Sequence, residues 1–394
     1  MTLPDGLTSR PLTDDLWHGA LDLERTDLGV RPHRLPAAAR FDADPALLVA
    51  EAESSGVRLA FRTAATVIEL TARPTRRTFA GGPERPVGAY DLVVDGVLAD
   101  QQSIAGGTVL VSDPATGKTE TRPGEPGTVR FADLAKGTKR IEIWLPHNEN
   151  TELVGLRADA PLEPIVDGRR RWVHHGSSIS HGSNATHPTG IWPAVAAGLA
   201  GVDLLNLGYG ASCMLDGSVA RTIRDLPADV ISLKLGINLV NFDVMRLRAF
   251  TPAVHAFLDL IRDGHPTTPL LVVTPLRSPT HEDVPGPGQL DPEAWQRGEV
   301  RFRATGDPAD IPAGRLTLEV IRAELTRIVE LRAADDPNLH LLSGLELYGP
   351  ADDEAHPLPD GLHPDGPTQR LIGERFAERA FTSGGPFGVT APTA

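Results

Sequence analysis

The chain contains 394 residues, of which 40% are hydrophobic and 23% are charged, and it carries a formal net charge of −14 at pH 7. This composition is typical of a soluble globular protein, the length predicts two domains, and the negative charge argues against nucleic acids and anionic membranes as partners. The single cysteine, Cys213, excludes an internal disulfide and a cysteine-rich zinc site.

The amino-terminal residues, Met1 to Gly6, have neither the basic start nor the apolar core of a signal peptide. No apolar run approaches the roughly 18 residues that a membrane span requires. We therefore expect a cytoplasmic protein that does not bind a membrane.

Residues 1–165 are predicted to form an all-β domain. Short, partly alternating runs, as at residues 66–72 and 90–94, are separated by turn-rich pieces such as Gly81-Gly82-Pro83. Repeated short strands with this punctuation indicate a β-sandwich. We expect a structural partner of the next domain, with glycan binding or a wall of the active site as the alternatives. Three side chains are large and flat enough to stack on sugars: Trp17, Tyr90 and Trp144.

Between residue 166 and residue 394, strand and helix patterns alternate, which is typical of βαβ units on a parallel sheet. The predicted strands are residues 171–175, 202–207, 230–235, 270–274 and 339–342. The predicted helices are residues 191–199, 219–226, 253–262, 316–334 and 369–381. This pattern predicts an α/β domain with a doubly wound, five-stranded parallel sheet in which the first strand is central.

The segment 275–314 interrupts this alternation, with seven prolines, five glycines and few apolar residues. Loops of this length inside a compact domain are usually lids or disordered spacers. Because the segment leaves the sheet at its carboxyl edge, we predict a specificity loop and keep a passive insertion as the alternative.

Four short segments carry the candidate chemistry. The first, Gly176-Ser177-Ser178-Ile179-Ser180-His181-Gly182, directly follows the first predicted strand. Asn206 to Ala211 and Gly236 to Asn238 follow the next two strands, and Asp360 to His363 lies near the chain end. Open α/β sheets bind their ligands at the carboxyl ends of the strands, so the serines of the first segment are predicted to lie at a ligand site.

In order and spacing, these segments resemble the four blocks of the SGNH hydrolases, also called the GDSL esterase/lipase superfamily: G-D-S-x-[ST]-x-G, N-x-G-x-x-G, G-x-N-D and D-x-x-H. The resemblance implies a flavodoxin-like strand order. Some SGNH esterases carry a jelly-roll domain ahead of the catalytic domain, as the family-2 carbohydrate esterases do. A jelly-roll-like sandwich at residues 1–165 agrees with that arrangement, which also resembles a polyketide-tailoring acyltransferase.

Ser178, Asp360 and His363 are the predicted catalytic residues. A serine hydroxyl becomes a nucleophile when a histidine takes its proton and an acid holds the other ring nitrogen of that histidine. Asp360 and His363 are three residues apart, so the carboxylate can reach Nδ1 while Nε2 faces the serine. In register with the flanking glycines, Ser178 takes the family's serine position, and Ser177 stands where the family usually has aspartate.

Several alternative assignments use nearby residues. Ser177 is a rival nucleophile that the register disfavours. Asp353 and His356 form another D-x-x-H, but in an acidic, proline-flanked loop with no helix directly behind it. The order Ser, Asp, His also fits α/β-hydrolases, although the elbow G-x-S-x-G is missing because Ser180 occupies its last glycine position. A metal cluster is disfavoured because adjacent strand residues point to opposite faces; its candidate ligands would be His174, His175 and His181.

The resemblance also implies an oxyanion hole, the set of donors that stabilises negative charge on the attacked carbonyl oxygen. Its donors here would be the N–H of Ser178, an N–H of Gly210 or Ala211, and the side-chain amide of Asn238. The choice between Gly210 and Ala211 stays open. Leu239 replaces the aspartate that usually follows the asparagine, and the alternative role of Asn238 is that of a cap or turn residue.

These residues predict an esterase or deacylase that forms an acyl-Ser178 intermediate on a small-molecule or carbohydrate ester. The alternative is an acyltransferase that moves the acyl group of an ester or thioester to an alcohol in polyketide tailoring, because the catalytic residues would be identical. A non-catalytic binding protein that has kept the fold is disfavoured by the intact Ser, Asn, Asp and His set. We expect no cofactor and no metal.

Overall fold

The computed structural model describes residues 6–113, 116–166 and 168–388. They form two compact units. The described residues within 1–37, 51–168 and 186–189 belong to the first unit, and those within 38–50, 169–185 and 190–394 belong to the second.

The first unit consists of two β-sheets. Its described strands are β1 (Thr8–Arg10), β2 (Trp17–His18), β3 (Asp22–Arg25), β4 (Val30–His33), β5 (Arg58–Thr63), β6 (Ile68–Phe79), β7 (Ala89–Val94), β8 (Val97–Ser103), β9 (Thr108–Ser112), β10 (Thr119–Arg122), β11 (Gly127–Phe131), β12 (Lys139–Trp144), β13 (Asn150–Ala158) and β14 (Glu163–Pro164). One sheet has the order β10-β9-β6-β13-β4-β3, with β1 beside β13 and β11 beside β6. The other has the order β14-β5-β12-β7-β8, with β2 beside β5.

The core of this unit joins the two sheets. In β6, Ile68, Leu70 and Ala72 are buried and alternate with half-buried neighbours, because successive strand residues point to opposite faces. They belong to the same apolar cluster as Phe61 and Ile143 of the other sheet. The predicted all-β domain is therefore confirmed, and its two sheets form a sandwich.

The second unit is built on a parallel sheet. Its strands are β15 (Arg171–Gly176), β16 (Asp203–Gly208), β17 (Val230–Lys234), β18 (Leu270–Val273) and β21 (Leu339–Leu342). They lie in the order β16-β15-β17-β18-β21, which is flavodoxin-like and confirms the predicted fold class. Strand β15, which leads to Ser178, is an interior strand between β16 and β17, and β17 occupies the middle of the sheet.

Helices alternate with these strands as predicted. The described helices of the chain are α1 (Ala37–Arg40), α2 (Pro45–Ala52), α3 (Ser178–His181), α4 (Trp192–Ala200), α5 (Gly217–Asp225), α6 (Ile237–Asn241), α7 (Leu247–Gly264), α8 (Pro292–Gln296), α9 (Leu318–Ala333), α10 (Pro350–Ala355) and α11 (Gly366–Phe381). Helix α7 begins before the predicted residue 253 and includes Pro252, a residue that disfavours helix interiors. None of the described helices is long and apolar enough to cross a membrane.

The segment 275–314 has more regular structure than the loop that the sequence predicts. It contains the antiparallel strands β19 (Gly288–Leu290) and β20 (Phe302–Ala304), helix α8 between them, and a 3-10 helix at Pro308–Ala313. Each strand has only three residues, which is too short for an alternating pattern to be visible in the sequence. We call β19 and β20 together the ribbon.

Candidate active site

The turn that carries Ser178 is tightly packed. Strand β15 ends at Gly176, and Ser178 is the first residue of α3. A Cβ atom on Gly176 would lie 2.3 Å from the Oγ of Ser180, so only glycine fits there. Gly182 ends the helix in the left-handed conformation, with φ 106°, which glycine adopts without steric cost. The two glycines of the first segment therefore fix where the serine helix starts and stops.

The second segment fastens this helix to the sheet. The side-chain amide of Asn206 donates to the carbonyl oxygen of Ser180 at 2.9 Å and accepts the N–H of Gly208 at 3.0 Å. A Cβ on Gly208 would lie 2.6 Å from the backbone nitrogen of His181. Asn206 and Gly208 thus allow the end of β16 and helix α3 to pack at close distance.

Ser178, His363 and Asp360 form a chain of hydrogen bonds. The Oγ of Ser178 lies 2.9 Å from Nε2 of His363, and Nδ1 of His363 lies 2.8 Å from Oδ2 of Asp360. The other carboxylate oxygen accepts the backbone N–H groups of Leu362 at 2.9 Å and His363 at 2.7 Å. Asp360 therefore holds both the ring and the main chain of His363.

The carboxyl group of Asp360 is kept in its charged form. Burial acts to raise its pKa, but the hydrogen bond and charge of His363 and the two backbone N–H groups outweigh burial, so the pKa lies below the ordinary 3.8. Asn184 adds a side-chain N–H bond to Oδ2 at 3.1 Å. A charged carboxylate makes Nδ1 of His363 the donor, which leaves Nε2 able to accept a proton.

The side chain of Asn238 is oriented by a backbone group. Its Oδ1 accepts the N–H of Cys213 at 3.1 Å, and the residue is 4% exposed. With its oxygen occupied, the amide presents its NH₂ group as a donor. Position 236, just before helix α6, requires glycine, because Gly236 has φ 124° and a Cβ atom there would lie 2.7 Å from Ile321.

Gly210 and Ala211 differ in whether their N–H is available. The N–H of Gly210 donates to Nδ1 of His181 at 3.2 Å. Ala211 lies in the left-handed region with φ 60°, and among the described residues no acceptor binds its N–H. The N–H of Ser178 likewise has no partner inside its helix, because it belongs to the first residue.

The rival residues lie in different surroundings. The hydroxyl of Ser177 is fully buried and has no hydrogen-bond partner among the described residues. Asp353 accepts the Tyr348 hydroxyl at 3.2 Å and pairs with Arg277 at 3.5 Å. Within the described ranges, no hydrogen bond joins Asp353 or His356 to Ser178.

The two strand histidines point to opposite faces of the sheet, as expected. His174 lies between the hydroxyls of Ser232 and Ser180, at 2.7 and 2.8 Å, and burial lowers its pKa well below the ordinary value. His175 donates to the carbonyl of Leu207 at 2.7 Å, and burial lowers its pKa to about 4. Both are therefore neutral near pH 7.

Segment 275–314 braces the Asp360–His363 turn, a role that the sequence did not reveal. The N–H of Phe302 donates to the carbonyl of Asp360 at 2.8 Å. The hydroxyls of Ser278 and Thr280 donate to the carbonyl of Gly361 at 3.0 and 2.8 Å. Gly361 itself has φ 79°. These residues, like Asn184, carry no sequence pattern that marks them, whereas Asn206 is the first residue of a recognised block.

Two family models match the sequence. Residues 169–283 match the GDSL-like lipase/acylhydrolase family, and residues 16–153 match the N-terminal domain of SsfX3. Together with the parallel sheet and the preceding all-β domain, these matches support an SGNH-type enzyme of the two-domain kind, with acyl transfer or hydrolysis as its reaction.

Solved structures of this kind resemble the whole chain. The salicylyl-acyltransferase SsfX3 from a tetracycline biosynthetic pathway is 27% identical, with 95% of this chain and 96% of that chain covered and a TM-score of 0.78. A family-two carbohydrate esterase from Clostridium thermocellum in complex with cellohexaose is 13% identical, with coverage of 90% and 95% and a TM-score of 0.56. One from Cellvibrio japonicus is 10% identical, with coverage of 94% and 96% and a TM-score of 0.56. No curated protein gives a significant sequence match.

Proposed function

We propose that the protein hydrolyses acyl esters of small molecules or carbohydrates, with Ser178 as the nucleophile and a covalent acyl-Ser178 intermediate. The observation that carries this proposal is the hydrogen-bond chain from the hydroxyl of Ser178 through His363 to Asp360. A hydroxyl, an imidazole and a buried carboxylate in this order are what nucleophilic acyl substitution at serine requires.

In the first half of the reaction, Oγ of Ser178 attacks the ester carbonyl carbon while Nε2 of His363 takes the hydroxyl proton. The carbonyl electron pair moves to oxygen and gives a tetrahedral oxyanion. When this intermediate collapses, the bond to the leaving oxygen breaks and His363 gives its proton to that oxygen. Asp360 stabilises the imidazolium that exists between the two proton transfers.

In the second half, water occupies the place that the leaving group has vacated. His363 removes a proton from the water, whose oxygen attacks the acyl carbon. The oxyanion then collapses, the bond to Oγ breaks, and Ser178 recovers its proton from His363. An alcohol in place of water yields a new ester by the same steps.

We propose that three donors bind the oxyanion: the N–H of Ser178, the N–H of Ala211 and the side-chain amide of Asn238. Ala211 is preferred to Gly210 because the N–H of Gly210 is already bound to His181. The N–H of Cys213 holds the amide oxygen of Asn238, so the NH₂ group needs no reorientation when the charge develops. Such preorganised donors stabilise developing charge without a reorganisation cost.

Transfer to an alcohol is the second candidate function. It is favoured by the match of residues 16–153 to the SsfX3 N-terminal domain and by the 27% identity to that salicylyl-acyltransferase over 95% of this chain. Both candidates use side chains and backbone groups only, and neither requires a cofactor or a metal. We also propose residues 1–165 and 166–394 as the two domains, with the first as a structural partner of the second.

Product analysis tests the proposal and separates the two acceptors. Acyl esters and acyl thioesters would be incubated with the enzyme in water, with and without added alcohols, and the acid and new ester quantified. We expect acid alone for an esterase and a predominance of new ester for a transferase, with both products lost in Ser178→Ala. Equal turnover by Ser178→Ala would overturn the proposal.

A further inference from the structure

The ribbon has one apolar face and one polar face. Leu290 lies directly opposite Phe302, and Gln289 lies directly opposite Arg303. Directly opposed residues of an antiparallel pair point to the same side, and the next residue along points to the other. Gln289 and Arg303 are exposed, whereas Leu290 and Phe302 are half-buried. The apolar face is therefore turned toward the protein but is not fully covered by it.

Phe302 brings this apolar face to His363. The two ring centroids lie 5.7 Å apart, with an interplanar angle of 74°. The main chain fixes this approach, because the N–H of Phe302 donates to the carbonyl of Asp360 at 2.8 Å. This backbone hydrogen bond places residue 302 beside His363 whatever its side chain is, and the Phe302 ring extends from that position.

Proton transfer from His363 requires the leaving group to lie beside the imidazole, which the Phe302 ring contacts. The leaving oxygen must come within hydrogen-bond distance of Nε2 of His363 to receive its proton, so the rest of the leaving group lies beside the imidazole. An acceptor alcohol gives its proton to the same nitrogen and therefore occupies the same place. Phe302, half-buried and in edge contact with His363, is the aromatic side chain that this group would meet.

We propose that the apolar face of the ribbon, formed by Phe302 and Leu290, is the subsite for the leaving group and the acceptor, and that it selects flat, apolar alcohols and phenols. This inference rests on the proposed roles of Ser178 and His363. A flat ring that stacks on or meets the edge of Phe302 gains an aromatic pair that a small aliphatic group cannot form.

The test compares two acetate esters that give the same acetyl-enzyme. 2-Naphthyl acetate has a flat aromatic leaving group, and 2,2,2-trifluoroethyl acetate has a small aliphatic one. Because kcat/KM reports the steps through acylation, a change confined to one ester locates the effect at the leaving group. The variants are Phe302→Ala, Phe302→Leu, which keeps an apolar side chain without a flat face, and Arg303→Ala on the polar face of the same ribbon.

We expect Phe302→Ala to lower kcat/KM for the naphthyl ester about tenfold, as the loss of an aromatic contact would, and to change the trifluoroethyl ester less than about twofold. Phe302→Leu should fall between Phe302→Ala and the parent protein, and Arg303→Ala should match the parent on both esters. Equal losses on both esters would overturn the inference and assign the ring to holding His363, and unchanged values would also overturn it. Failure of the proposed function is separate, since it shows as activity that survives Ser178→Ala.

A second measurement addresses the acceptor. The acetyl-enzyme formed from trifluoroethyl acetate would be offered benzyl alcohol or ethanol, and the fraction of new ester measured for each. We expect Phe302→Ala to lower transfer to benzyl alcohol and to leave transfer to ethanol unchanged. A parallel fall with both alcohols would contradict a shared aromatic subsite.

Discussion

The Oγ of Ser178 lies 2.9 Å from Nε2 of His363, although 185 positions separate the two residues in the chain. The serine is placed by the end of a parallel strand, and the histidine by a turn whose main chain is bound to Asp360 and to segment 275–314. Neither residue is brought to the other by local structure. Their contact therefore depends on the packing of the whole second unit. The contact also predicts that Ser178, and not the adjacent Ser177, reacts.

Ser178→Ala should abolish turnover of a short aryl ester, because Ser178 alone of the pair contacts His363. The matched control is Ser177→Ala, which removes a buried hydroxyl without a partner among the described residues. That change should leave most of the activity and raise the melting temperature slightly, since an unsatisfied buried polar group is destabilising. An inactive Ser177→Ala variant together with an active Ser178→Ala variant would show that Ser177, and not Ser178, is the nucleophile.

Asn238→Ala should lower kcat by about 10²- to 10³-fold with little change in KM, as the loss of one oxyanion donor does. The variant loses the hydrogen bond from the N–H of Cys213 to the amide oxygen, so the fold should survive with a modest loss of stability. Steady-state kinetics and a thermal melt measure both effects. Activity equal to that of the parent protein would remove Asn238 from the site and leave it the role of a turn residue.

Lys234→Met should stabilise the protein near neutral pH. Lys234 is buried at the end of β17, and burial lowers its pKa from the ordinary 10.5 to about 8. Between these two values the unfolded chain binds a proton that the folded protein does not, so parent stability should rise with pH across that window. At pH 7 the folded protein carries a buried charge, and the variant should gain up to roughly 3 kcal/mol.

The measurement is the difference in unfolding free energy between Lys234→Met and the parent protein at pH 7 and pH 10.5. The difference should be largest at pH 7 and should shrink toward alkaline pH. Lys139→Met is the control, because Nζ of Lys139 donates to the carbonyls of Ala65 and Ala135 at 2.6 and 2.7 Å, and its removal should destabilise the fold. A pH-independent difference for Lys234→Met would refute a buried, shifted ammonium.

Replacing residues 291–301 by Asn-Gly tests whether segment 275–314 shields the acyl-enzyme. The change joins Leu290 to Phe302 through a two-residue hairpin turn and keeps the braces from Thr280 and Phe302 to the Asp360–His363 turn. If the removed tip excludes water, the ratio of transfer to hydrolysis should fall or the range of accepted esters should broaden. Labelling of Ser178 by a small organophosphate should persist. An unchanged ratio and ester range would make the tip a passive insertion.

The sequence was sufficient for the fold class and for the grouping of the candidate site. Parallel strands with crossover helices have a clear pattern, and the sheet places the ends of β15, β16 and β17 at one edge, so the serine, glycine and asparagine segments meet there. Asp360 and His363 were recognisable because the carboxylate and imidazole are three residues apart in one turn.

Other features of the site depend on contacts between distant segments. The choice of Ala211 over Gly210 follows from a hydrogen bond to His181, which no local pattern indicates. The brace from Phe302 to Asp360 joins a three-residue strand to a turn near the chain end. Such short strands lack the periodicity that identifies longer ones, and their partners are set only when the chain has folded.

Intact-mass spectrometry of the protein after rapid mixing with an acyl ester shows directly whether Ser178 carries the acyl group. We expect the protein to gain the mass of one acyl group less one hydrogen, and peptide mapping to place the group on Ser178. The adduct should also form in Ser177→Ala and be absent in Ser178→Ala. In the aqueous buffer the adduct should discharge to the acid over time, and an added alcohol should discharge it to the ester. An acyl adduct that persists in Ser178→Ala, or turnover in that variant, would rule out Ser178 as the nucleophile.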